Sequence, residues 1–147
     1  MMLQVANETH AEPARVWQVL IDWAGQSQWI PLTTVEVLGD QSQGAGVRAV
    51  ALSGFRLGRL PIGLLDNFEV TGWTPRRELV VQHLGPYFTG QGVFRLEASN
   101  NGTRVTAIED FSVPGGKPVE ALVRLALPLL RIGFRRSLRG LAEIAES

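Results

Sequence analysis

KPVEALVRLALPLLRIGFRRSLRGLAEIAE, Lys117 to Glu146, carries a single helical pattern over its whole length. At 100° per residue, Val119, Leu122, Val123, Ala126, Leu130, Gly133, Phe134, Ser137, Leu141 and Ile144 fall on one face. Arg124, Arg131, Arg135 and Arg139 gather on the other. Pro128 lies on the polar side, where it removes one backbone hydrogen bond and predicts a bend. Arg124, Pro128 and Arg131 interrupt the greasiest run, so it falls short of the roughly 20 apolar residues a membrane span needs. A helix of this kind needs an apolar surface to lie on.

The preceding chain supplies that surface. Strand-like segments cover Thr33–Leu38, Val47–Ser53, Leu64–Trp73, Glu78–Leu84, Phe88–Ala98 and Thr103–Phe111. Turn residues separate them: the Gly/Gln-rich run 39–46, Thr74-Pro-Arg-Arg77, Gly85-Pro86 and Asn100-Asn-Gly102. Short turns make consecutive strands antiparallel, because parallel pairs need long crossovers. The stretch Gly54–Gly63 reads as a loop that packs on something. Leu3–Thr9 alternates as a first strand that closes onto the last. Pro13 then opens a helix through Val16, Trp17, Leu20 and Ile21, and a short helical turn fits before Pro31. The expected architecture is α+β, one domain over residues 1–147. A curved seven-stranded antiparallel sheet wraps the long last helix, in the order β-α-α-β6-α.

Composition narrows the function classes. Lys plus Arg and Asp plus Glu both number 14, which removes the electrostatic case for nucleic acid. No cysteine is present, so there is no disulfide framework and no thiolate. His10 and His83 are too few and too far apart for a zinc site, and neither a metal nor a cofactor is expected. The first residues lack the features of a signal peptide, and a cytoplasmic location is the expectation.

The order of elements and several local stretches resemble the START-like (SRPBCC) superfamily, in its polyketide cyclase/dehydratase-like bacterial branch. The stretches are Ala11-Glu-Pro-Ala-Arg-Val-Trp17, Asp22 with Trp29-Ile-Pro31, Gly44-Ala-Gly-Val-Arg48, Gly102-Thr-Arg-Val-Thr106 and Glu109-Asp-Phe111. The resemblance spans nearly the whole chain. It implies a helix-grip fold with an apolar ligand cavity between sheet and last helix. No catalytic motif of the superfamily is matched residue by residue.

Strand alternation names the residues that would line such a cavity. They are Val35, Ala49, Phe68, Val81, His83, Phe94, Leu96, Glu109 and Phe111, with Leu122, Ala126 and Leu130 from the helix, while Trp29 with Pro31 could form one end of the pocket. Glu109 and Asp110 compete for one inward position. Gly90 and Gly92 share the inner face and remove bulk there, which bends the sheet or deepens the space. His83 would need a hydrogen-bond partner among apolar neighbours, and Glu109 or Tyr87 could supply it as an acid/base pair. The leading expectation is a carrier of a hydrophobic small molecule, a lipid, isoprenoid or polyketide-like compound. A cyclase or dehydratase using His83 with Glu109 or Tyr87 is the first alternative. A membrane-surface or protein-interaction module, acting through the Arg stripe and residues 54–63, is the second.

Overall fold

The computed structural model describes all 147 residues. Strand β1 (Met2–Thr9) is followed by helix α1 (Pro13–Leu20) and a 3₁₀ helix (Ala24–Gln28). Six strands come next: β2 (Thr33–Leu38), β3 (Arg48–Leu57), β4 (Leu60–Thr74), β5 (Glu78–Gly85), β6 (Thr89–Ser99) and β7 (Gly102–Ser112). Helix α2 (Gly116–Glu146) ends the chain. All seven strands form one antiparallel sheet in the order β1-β7-β6-β5-β4-β3-β2, so the meander closes by pairing the first strand with the last. The expected class and element order hold.

One segment departs from expectation. Residues 54–63 are not a packed loop but the far end of the β3–β4 hairpin, turning at Gly58-Arg59. Gly54 and Gly63 face each other so closely that a Cβ on either would stand 2.9 Å from the Cα of the other. Only glycine permits that approach, and it lets the long ribbon continue past the body of the sheet. Its apolar residues find no cover. Phe55, Leu57 and Leu60 are all exposed.

The core gathers at the other end of the sheet. Pro13 opens α1 at a position where its missing N–H is harmless, and Val16, Trp17, Val19 and Leu20 are buried against the sheet. Trp17 meets Trp73 edge-on at 5.1 Å between ring centroids. Leu138, Leu141 and Ala145 of α2 complete the same cluster. The Glu146 carboxylate accepts hydrogen bonds from the Thr9 hydroxyl at 2.8 Å and the His10 backbone N–H at 2.7 Å, tying the end of α2 to β1. Those two donors hold its pKa below the usual carboxylate value.

Helix α2 is continuous through Pro128, yet its two halves have different surroundings. Every buried residue lies from Ser137 onward: Ser137, Leu138, Leu141, Ala142 and Ala145. Leu138, Ala142 and Ala145 were outside the apolar face read from the sequence. In the first half that face is only partly covered. Leu122 is 66% exposed and Leu130 39%, while Val119, Val123, Ala126 and Phe134 are half-buried. The helix packs on β1 and α1, with a smaller contact on β7, so its first half stands off the middle strands. The Arg residues of the opposite face are exposed as expected.

Candidate functional site

At the end of the sheet from which α2 starts, the inner face carries three charged side chains in contact. His83 on β5 lies between Asp66 on β4 and Glu109 on β7. Its Nδ1 is 2.9 Å from both Asp66 carboxylate oxygens, and its Nε2 is 2.9 Å from Glu109 Oε2. The His83 side chain is 7% exposed, Asp66 16% and Glu109 15%, so the imidazole is buried while the carboxylates reach solvent at their edges. Arg48–Glu69, Arg95–Glu78, Arg104–Glu8 and Arg124–Glu120 all lie at the exposed surface by comparison.

Local sequence explains how three strands deliver one cluster. Alternation along β4 turns Leu64, Asp66, Phe68 and Val70 to the same face. His83 pairs across from Phe68, and the β4–β5 register shifts at that point, which leaves Asp66 diagonal to His83. Glu109 is two strands from His83, a backbone separation of about 10 Å. The strand between them presents Gly90 opposite His83 and Gly92 opposite Glu109. With no side chain on β6 at either level, the imidazole and the carboxylate meet over bare backbone. A Cβ on Gly92 would stand 2.7 Å from Glu109 Oε1. The glycine pair is thus the opening through which the cluster forms.

The protonation state follows from the partners. Both carboxylates are acceptors when ionised, so the imidazole can satisfy them only by donating from both nitrogens, as the imidazolium does. Burial opposes that charge. Hydrogen bonds to Asp66 and Glu109, reinforced by their negative charges, outweigh it and raise the His83 pKa from 6.5 to about 9. At neutral pH the cluster is one cation between two anions. Phe88 flanks it, with ring centroids 4.9 Å apart, and Phe88 in turn meets Phe111 at 6.5 Å.

The Gly92→Ala substitution tests this reading of β6. The added methyl group must displace the Glu109 carboxylate, so the His83 pKa should fall from about 9 toward the ordinary imidazole value. The accompanying loss of stability should be about 1–3 kcal/mol, the usual penalty of overpacking. An unchanged histidine titration by NMR would show that Glu109 does not depend on the gap.

The residues named from the sequence divide into three groups. His83, Glu109 and Phe111 come together at this end of the sheet, and the competition between Glu109 and Asp110 resolves with Glu109 inward and Asp110 exposed. Trp29, Ala49, Phe68, Val81 and Leu96 belong to the packed core, with Val35 and Phe94 partly buried against it. Leu122, Ala126 and Leu130 lie on the uncovered half of α2, Leu122 and Leu130 exposed rather than turned into an enclosed space. Tyr87 is 50% exposed and makes no side-chain hydrogen bond, because the turn before β6 carries it away from His83. Asp66 was missed, although an acid alternating with Leu64, Phe68 and Val70 was the available sign. Trp29 is buried edge-on to Phe94 at 6.2 Å, and its Nε1–H has no hydrogen-bond partner.

Between sheet and helix, the second half of α2 is thus packed in the core while the apolar face of its first half is only partly covered. Two concavities lie elsewhere. One, of about 1200 Å³, is bordered by polar turns such as Thr74–Glu78 at the opposite end of the sheet. The other, of about 390 Å³, is on the outer face of β2–β4 around Val50, Leu52 and Leu65.

Comparison with known proteins agrees with the fold. Residues 3–146 match the family model described as polyketide cyclase / dehydrase and lipid transport. The chain belongs to this family. It is thereby a member of the START-like (SRPBCC) superfamily, as the resemblance implied. Among solved structures, TTHA0849 from Thermus thermophilus superposes with a TM-score of 0.77 at 19% identity, covering 99% of this chain and 97% of that one. The KanY protein gives 0.77 at 17% identity, covering 100% and 98%. DynU16, from the dynemicin biosynthetic locus, gives 0.67 at 17% identity over 99% of this chain and 47% of its own. No curated protein matches the sequence. These similarities establish the polyketide cyclase / dehydrase fold for the chain, a framework suited to hydrophobic ligands. No helix is long and apolar enough to cross a membrane.

Proposed function

We propose that the protein binds a hydrophobic small molecule in the trough between the inner face of the sheet and the first half of α2, with the Asp66–His83–Glu109 cluster as its polar anchor. The carrying observation is the placement of the one ion cluster with a buried member. It lies at the end of the sheet from which α2 starts, where the apolar face of the helix is only partly covered. Apolar walls with a few convergent polar groups are the usual form of a small-molecule site. Phe55, Leu57 and Leu60 of the β3–β4 hairpin lie at the same end, since β7 delivers the start of α2 there. Exposed Arg56 and Arg59 accompany them, so contact of this rim with a membrane or protein surface fits within the carrier reading. A cytoplasmic setting belongs to the same proposal.

An acid/base role for His83 is less well supported. A general base must hold a free lone pair near the working pH, whereas both nitrogens of His83 face carboxylates and its pKa is about 9. The cluster is arranged to hold a proton, which argues against His83 as a general base.

Occupancy is tested with Nile red, a neutral apolar fluorophore, and with mass spectrometry of the denatured, extracted protein. Ala126→Trp should fill the trough and weaken Nile red binding at least about tenfold, because Ala126 is a small half-buried residue on the facing side of α2. Its melting temperature should be unchanged. Undiminished binding by a folded Ala126→Trp protein would place the apolar site elsewhere.

A further inference from the structure

We infer that the polar group this site accepts is a hydrogen-bond donor, a hydroxyl or a protonated amine at the end of an apolar molecule, and that the site rejects the corresponding carboxylate. The inference rests on the reading of the trough as a ligand site.

The donors and acceptors of the cluster are unequal. His83 has two N–H groups, and both are engaged. Asp66 shares its two oxygens with the single Nδ1–H, and neither makes another hydrogen bond. Glu109 uses Oε2 and leaves Oε1 without a partner. An ionised carboxylate offers about four lone-pair sites, so most of the acceptor capacity of both groups is unmet. Their exposure of 15–16% leaves part of that remainder accessible.

Charge points the same way. Two carboxylates around one imidazolium leave the cluster with an excess of one negative charge, and no Arg or Lys pairs with it. Like charges within about 4–6 Å disfavour each other, and the low dielectric of a half-buried site strengthens that effect. A fatty carboxylate would bring acceptors to acceptors and an anion to an anion. An alcohol or ammonium would bring N–H or O–H to free oxygens, and hydrogen bonds to charged groups are the stronger kind.

Four probes sharing a decyl chain separate the possibilities by displacement of Nile red at pH 7: decan-1-ol, decylamine, decanoate and 1-methoxydecane. The alcohol and the amine should displace Nile red at roughly tenfold lower concentration than decanoate. The alcohol should also outcompete its methyl ether, which keeps the oxygen and loses the donor. Glu109→Gln and Asp66→Asn, confirmed as folded by circular dichroism, should each narrow the gap between decylamine and decanoate. Equal displacement by all four would overturn donor selection while leaving the apolar site intact. Tighter binding of decanoate would overturn it too. Failure of Nile red itself to bind would remove the ligand site and this inference with it. The wild-type ranking alone decides the matter if either variant fails to fold.

Discussion

His83→Ala is expected to destabilise the protein by about 3–5 kcal/mol, the usual consequence of removing one partner from a buried ion pair. Part of that loss would come from packing, since the buried imidazole meets Phe88 at 4.9 Å between ring centroids. Most would come from the carboxylates. Asp66 and Glu109 would be left without the only cation within reach, each still 15–16% exposed and unable to turn fully to water. Urea unfolding measures the change. The decisive control adds Asp66→Asn and Glu109→Gln to His83→Ala. Neutralising the orphaned acids should restore about 2 kcal/mol or more, a non-additivity expected only for residues acting as one unit. A deficit below about 1 kcal/mol, or no recovery in the triple variant, would show that the three side chains are neighbours without being coupled.

The second large effect is a pH dependence. His83 has a pKa of 6.5 when unperturbed and about 9 in the folded protein, so the native state binds a proton that the unfolded chain releases as pH rises. The stabilisation is complete below pH 6.5. It is lost as the pH climbs from there through about 9, and the difference amounts to about 3 kcal/mol. The charged groups facing the imidazole are Asp66 from β4 and Glu109 from β7, while β6 contributes only glycine at these positions. The melting temperature should therefore decline steadily from near-neutral to alkaline pH, and His83→Gln should flatten that decline. NMR titration of the imidazole gives the same quantity directly. A flat profile between pH 6.5 and 9.5 in the wild-type protein would refute the paired-cation description.

These expectations bear on function because they separate what the cluster does for the fold from what it offers a ligand. A protein that needed the three charges only for stability could have used packed hydrophobic residues, which often serve as well or better. Here the ions sit where the helix leaves the sheet uncovered, among aromatic residues Phe88 and Phe111. The arrangement sacrifices core at this end of the sheet. Trp17, Trp29, Leu79 and Leu141 make up for it at the other.

Much of this was readable along the chain. Alternation of period two turned His83 of β5 inward and left Glu109 and Asp110 competing for one inward position on β7. Turn residues between short strands required an antiparallel meander, and the long amphipathic stretch required a helix. These features depend on near neighbours in sequence, where backbone geometry dictates which way each side chain points. Three matters depended on the distant chain. The helical pattern from Val119 to Leu130 is as apolar as that from Phe134 to Ala145, yet only the second half is buried, because only there do β1 and α1 approach it. Gly54 to Gly63 carries the marks of a loop, but two strands zip through it once the facing glycines pair. Asp66 reads as one acid in a strand until register brings it diagonal to His83. The amino-acid pattern thus determined that the sheet grips the helix and that a histidine and an acid look inward. Cross-strand register and the missing side chains of Gly90 and Gly92 decided that they touch, since contact over two strands is a property of no single segment.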